Sequence, residues 1–339
     1  MTRPSPSYSG TIPPAEEPGE NFNIPCQRRQ ELLHDLENAL GMSQVPAPFW
    51  ACLQVCDLGQ LEITVHAARH APEFVSVFAK YSCDQIPLLW VQDPRESDDD
   101  SEEEDGDGHA SSFSSSTTAS ISANSKKPHP AKVAYDRDNE SCVFKRTGAI
   151  DIMHICPKHL IDESQPHTVE FWDLLSIFWP AEQLRLWKGS LSTSSHDDNN
   201  THYNNYFCIS PDIHKMWQVG ALALRPLEYN TAGTELEVEW YWLPKQKHDI
   251  HDFVPLTGYL PLSSQGLHSS NDQRDRPMDV VITLDSEVLH VVRTGDKFVL
   301  RTSDPVNRPL PSKEVLDFQF LLQRVVSLAG VGREGLVSI

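Results

Sequence analysis

No stretch of the sequence reaches the roughly 18 consecutive apolar residues that a membrane-spanning helix needs. Hydrophobic runs are short and are broken by charge or proline, so no membrane partner is expected. There is no Gly-rich phosphate loop, no dinucleotide fingerprint and no Gly-x-Ser-x-Gly elbow. Those absences remove the commonest nucleotide-binding and serine-hydrolase readings. Paired cysteines are missing as well. The seven cysteines (Cys26, Cys52, Cys56, Cys83, Cys142, Cys156 and Cys208) are odd in number, and no two stand as Cys-x-x-Cys. Buried free thiols, packing as small hydrophobes, are expected rather than a disulfide framework. The set Cys142, Cys156, His159 and Cys208 is the zinc alternative, and it lacks the paired spacing of structural zinc sites. The first 20 residues contain no apolar segment of the signal-peptide kind, from which an intracellular protein, nuclear or cytoplasmic, is expected.

Positive charge is scarce. Against 48 Asp and Glu the chain has 28 Lys and Arg, a formal charge of -20 over 339 residues. The imbalance is uneven. Ten carboxylates and a single arginine, Arg95, lie between Asp93 and Asp107, whereas Cys142–Leu227 holds nine acids against seven bases. That middle segment also holds six of the 15 histidines. An overall basic nucleic-acid binder is excluded, but the middle of the chain is close to neutral.

Composition divides the chain. Residues 1–24, rich in Pro, Ser, Gly and Glu, are expected to be disordered. Residues 25–92 read as a small helical region: Leu32, Leu33, Leu36 and Leu40 share one helical face and Gly41 ends it. The segment from Phe49 to Val91 carries another helical pattern, with a short strand at Leu61–His66 as the alternative there. Residues 93–134 combine the acid run with a Ser-rich tract and are expected to be a disordered linker. Within it Ser97 and Ser101 precede acidic triplets, and Lys126-Lys127 is too short for an import signal. Structure is expected to resume near Tyr135. Strands are expected at Val143–Phe144 and Ile150–Ile155 around a Thr147-Gly148 turn, and helices at Thr168–Phe178 and from Pro180 to Trp187. Residues 229–339 alternate in ELEVEWYWLP, MDVVITLD and EVLHVVRTGDKFVLRTSD, the period of strands, and close with a helix begun by Ser312 and Glu314.

Two blocks of the middle region carry the chemistry. The first, CVFKRTGAIDIMHICP, is a Cys, a Thr-Gly turn and a strand ending in His154-Ile155-Cys156-Pro157. The second places Asn205 and His214 with eight residues between them, followed by an aromatic, a glycine and a hydrophobic strand ending in proline. In these blocks the sequence resembles the HNH endonuclease superfamily, and specifically the HNH-like domains found in fungal proteins. The match covers about Cys142 to Leu227.

The resemblance implies an α+β protein with a ββα-metal finger embedded in a larger mixed domain, residues 135–228 forming the module with a helical insertion. It implies one divalent ion, Mg²⁺, Mn²⁺ or Zn²⁺, and hydrolysis of a nucleic-acid phosphodiester. Residue by residue, His154 takes the place of the general base, Asn205 that of the residue fixing the loop, and His214 that of a metal ligand. Histidine suits the base because its ordinary pKa lies near neutrality. Two positions depart from the pattern. Met153 stands where Asp or His usually adds a ligand, and Gln218, one turn after His214, replaces a frequent second ligand. Asp151 is the nearby carboxylate, and on a strand it shares the face of Met153, not of His154. The metal set read from the sequence is therefore His214, Asp151 and Gln218. The alternative implied by the departures is an HNH-like scaffold that binds protein or nucleic acid without cleaving. Trp172, Trp179, Trp187 and Trp217 lie in apolar helical patterns and read as core.

Overall fold

The structure is a computed structural model, and it describes residues 26–91, 129–191, 203–244, 246–258, 260, 282–285 and 288–331. The expected disordered N-terminus, the acid run with Ser97, Ser101 and Lys126-Lys127, and residues 192–202 lie outside the described residues.

Five helices open the fold: α1 (Gln27–Leu40), α2 (Ala47–Val55), α3 (Leu58–His70), α4 (Pro72–Tyr81) and α5 (Gln85–Val91). Helix α1 buries Leu32, Leu33, Leu36 and Leu40, and Gly41 ends it with a left-handed φ of 64° while its N–H returns to the Glu37 carbonyl. Leu61–His66 is helix, not strand. The Asp57 carboxylate caps α3 by accepting from the N–H groups of Gly59 and Gln60, and Leu61, Val65 and Ala68 then fall on the buried side. Before α2, the three-residue strand β1 (Gln44–Pro46) pairs antiparallel with a distant segment, Phe253–Pro255.

Residues 130–134, read from sequence as linker, belong instead to α6 (Pro130–Arg137), with proline at its first turn and His129 accepting from the Ala131 N–H. Next come β2 (Asp151–His154), α7 (Pro166–Leu175), α8 (Ala181–Leu191), β3 (Tyr206–Ile209) and α9 (Pro211–Gln218). The C-terminal part holds β4 (Leu222–Tyr229), β5 (Glu235–Trp242), β6 (Phe253–Pro255), β7 (Ile282–Asp285), β8 (Val288–Val291), β9 (Lys297–Arg301) and α10 (Lys313–Ala329). The class is α+β. Among the described residues the strands form four small sheets, β1-β6, β2-β3, β4-β5-β9 and β7-β8, every pairing antiparallel. In β5 the alternation is realised as far as Trp240: Leu236, Val238 and Trp240 are buried with half-buried glutamates between them, and Tyr241 and Trp242 are then both buried.

Helix α10 organises the core. It packs on α2, α5, α8 and β4, and the core cluster runs from Leu32 to Val331. Its Phe318 ring stacks on Trp172 at 5.1 Å and meets Trp90 and Trp187 at 5.2 and 4.9 Å. The tryptophans of α7 and α8 are thus core, as their spacing implied. Two amides of α10 grip the neighbouring elements. Gln323 donates to the Trp217 carbonyl at the end of α9, and Gln319 accepts from the Leu224 N–H. Between them Gly220 turns the chain with φ 62°, and a Cβ there would lie 2.6 Å from Val326. No helix among the described residues is long and apolar enough to cross a membrane.

Candidate functional site

Strands β2 and β3 pair antiparallel, Asp151 opposite Ile209 and His154 opposite Tyr206, and the chain passes from β3 through Ser210 directly into α9. The result is a small unit of two strands and a helix. Val143–Phe144 is a turn, not a strand. It still meets β3 once, through the Val143 N–H on the Cys208 carbonyl, and Cys142 closes it by receiving the Lys145 N–H on sulfur and donating its own N–H to Thr147.

A buried ion pair holds β3 from behind. Arg137 and Asp138, adjacent in sequence, are joined by two hydrogen bonds of 2.7 and 3.0 Å. The same guanidinium donates to the carbonyls of Tyr206 and Pro309, and Asp138 accepts from the Cys208 N–H. The two side chains are 1% and 3% exposed. A pair so buried is tolerable because its hydrogen-bonding groups are met. The sequence gives no signal for it, since an Arg-Asp doublet at a helix end ordinarily reads as solvated surface.

Asn205 is fully buried at the mouth of the strand pair. Its backbone carbonyl accepts from the Ile155 N–H, its Oδ1 accepts from the Cys156 N–H at 2.8 Å, and its Nδ2 donates to the Cys156 carbonyl at 2.9 Å. The side-chain amide therefore acts as an extra rung of the ladder. With the backbone carbonyl it ties down the two residues that follow His154.

His214 Nδ1 lies 2.9 Å from Asp151 Oδ2, the imidazole 22% and the carboxylate 41% exposed. Helix α9 packs on β2, and Met153 is buried. The face that Asp151 shares with Met153 is thus the one the helix meets, and Asp151 reaches His214 without leaving it. One turn along the helix, Gln218 is exposed. Lys145 pairs with Asp212 in the first turn of α9. Partial burial raises the Asp212 pKa, but bonds from Lys145 and Ser210 outweigh it and hold the carboxyl below the ordinary carboxylate range.

His154 takes the other side of the strand. Its ring lies 4.3 Å from that of Tyr206, and it lines a cleft of about 430 Å³ with Lys158, Asp162, Glu163, Trp172, Lys188 and Asn205 among its walls. Lys188 lies 3.3 Å from Glu163 and above the Trp172 ring. Asp151 and His214 are not part of this cleft. The structure therefore unites Asp151 with His214 and Asn205 with the backbone behind His154. It leaves His154 three residues, about 10 Å of strand, from Asp151 and on the alternate face.

The cleft wall is braced by its own hydrogen bonds. Trp172 donates to the Leu160 carbonyl, Thr168 to the His159 carbonyl, and His159 Nε2 lies 2.7 Å from the Leu89 carbonyl. Burial lowers the His159 pKa below its ordinary value, as does nearby His167, against the opposing bond to Leu89.

All seven cysteines are free thiols, Cys26 exposed and the other six buried. No three His, Cys, Asp or Glu side chains converge as a metal cluster among the described residues, so the Cys142, Cys156, His159, Cys208 set is not assembled. Comparison of the chain with models of known protein families, with curated proteins and with solved structures gives no match.

Proposed function

We propose that β2, β3 and α9 form an HNH-like ββα finger and that the protein is a metal-dependent phosphodiesterase acting on nucleic acid. The observation that carries this reading is the double hydrogen bond from the buried Asn205 amide to Cys156, immediately behind His154. It supports the reading because Asn205, to which the resemblance gives the loop-fixing role, ties down the segment next to His154.

The donor set also bears on the metal. One carboxylate and one imidazole, Asp151 and His214, fit a hydrated Mg²⁺ or Mn²⁺, which takes one or two protein oxygens and fills its shell with water and phosphate. They do not fit a closed zinc site, which needs four ligands. When bound, such an ion polarises the phosphate and stabilises the departing oxygen. His154 acts as general base, accepting at a ring nitrogen the proton of the attacking water. Asn205 keeps that imidazole in place by fixing the backbone after it. Lys158 and Lys188 lie on the cleft wall beside Asp162 and Glu163, so they offer donors to phosphate oxygens without making the wall positive overall.

The test is nicking of supercoiled plasmid in Mg²⁺ or Mn²⁺. His154→Ala is expected to abolish it, and equal activity in wild type and variant sinks the assignment. A second reading, a finger that binds nucleic acid or protein without cleaving, is favoured by one specific observation: the His154 cleft does not include Asp151 or His214. Calorimetric titration with Mn²⁺ separates the two. Stoichiometric binding that is lost in Asp151→Ala/His214→Ala supports the first. No binding, with plasmid left intact, supports the second.

A further inference from the structure

Helix α4 turns Val75 and Ala79 into the core and packs Phe78 against Phe49 and Phe178. Among the described residues nothing covers its opposite side. Phe74, Val77 and Tyr81 are 72%, 57% and 65% exposed, and Glu73 and Lys80 are exposed beside them. At about 100° per residue, Val77 is the midline of this face. Phe74 and Tyr81 occupy one flank, at opposite ends. Glu73 and Lys80 project from the other flank, also at opposite ends, and the Lys80 ammonium reaches across to lie 5.0 Å from the centroid of its own Tyr81 ring. So large an apolar stripe on a helix edged by charge is the composition of a contact surface.

The arrangement is self-complementary in one direction only. A two-fold axis lying in the contact plane, perpendicular to the helix and passing Val77, exchanges the helix ends but keeps each flank on its own side. Glu73 then meets Lys80 of the second copy, Phe74 meets Tyr81, and Val77 meets itself. A parallel two-fold pairing exchanges the flanks instead: it sets Glu73 against Phe74, gives Lys80 only a tyrosine face of the kind it already meets in its own copy, and forms neither ion pair. We propose that this face of α4 is the interface of a homodimer, two copies packing their α4 helices antiparallel about Val77. Apolar burial supplies the attraction, and the two symmetric Glu73–Lys80 contacts fix the direction.

The experiment is sedimentation of the full chain across a concentration series. Wild type is expected to dimerise below about 100 µM. Val77→Glu places two carboxylates together at the axis and is expected to leave a monomer. Because Val77 is exposed, its circular dichroism and unfolding midpoint should match wild type. Glu73→Lys and Lys80→Glu each lose two ion pairs and gain two like-charge contacts, so each weakens the dimer on the order of tenfold. The double exchange Glu73→Lys/Lys80→Glu restores the pairs, and with them an affinity within about threefold of wild type. A wild type that stays monomeric overturns the proposal. So does a Val77→Glu variant that dimerises normally, or a double exchange weaker than both single variants.

Discussion

Replacing Asn205 by alanine tests the centre of the candidate site most directly. The substitution removes one acceptor and two donors from a position with no solvent access. It strands both peptide groups of Cys156, whose N–H and carbonyl are each met by the Asn205 side chain. Cys156 is itself fully buried, so water does not replace the lost partners without local opening. A buried polar group left without its partner costs about 1–3 kcal/mol, and two of them give about 2–6 kcal/mol. Against a whole-domain stability of about 5–15 kcal/mol, that is a large fraction. Urea unfolding at low temperature, followed by tryptophan fluorescence, measures it as a shift of midpoint at constant slope. Asn205→Asp is expected to do no better: it keeps an acceptor for the Cys156 N–H but sets a carboxylate oxygen against the Cys156 carbonyl. If Asn205→Ala costs less than about 0.5 kcal/mol, the size of an ordinary surface change, the bridging amide does not hold the loop and the argument from it fails.

Two further outcomes follow from buried charge. Asp138→Ala leaves the Arg137 guanidinium buried without its carboxylate and the Cys208 N–H without its acceptor, and is expected to cost about 3–5 kcal/mol. The double variant Arg137→Met/Asp138→Leu is expected to lose less than the sum of the two single losses, measured by the same unfolding series. Asp317, on α10, has its pKa raised by burial, against the opposing hydrogen bond from Trp187 and with a further rise from Glu314. Between the ordinary carboxylate pKa and this raised value the folded chain binds more protons than the unfolded one. Stability therefore falls as pH rises through that window and stays reduced above it. Asp317→Asn, which still accepts from Trp187, is expected to raise the unfolding midpoint at pH 7 and to lose that advantage as pH falls below the ordinary carboxylate pKa. A variant whose advantage is constant with pH contradicts the assignment.

The regular elements were legible where one residue pattern sufficed. The leucines of α1, the alternation of β5 and the order strand, strand, helix around His154 and His214 are all local. Errors came where local patterns compete. Leu61–His66 alternates over a few residues, but the Asp57 cap extends the window to 13 residues and helical spacing wins. The proline-rich run before Tyr135 resembled linker, yet Pro130 is at a position where a helix has no N–H to lose. The β1-β6 pairing was invisible because each strand has only three residues and its partner lies about two hundred residues away. At the site, the strand period correctly put Asp151 on the face of Met153. It carried no information about which face α9 would cover, and that alone decides that Asp151 and His214 meet. Nor did it tell that Arg137 and Asp138 would turn inward, because their partners are main-chain groups of β3 and of the segment before α10.

The position of α10 has a consequence for how the protein is made. The helix against which α2, α5, α8 and β4 pack is encoded at Lys313–Ala329, after all four of them. At a synthesis rate of about 5–20 residues per second, α2 waits on the order of 10–50 s for its packing surface to leave the ribosome. During that interval the side of α2 that packs on α10 is without its cover. Nascent chains arrested before residue 313 should therefore be the form of this protein most readily recognised by chaperones.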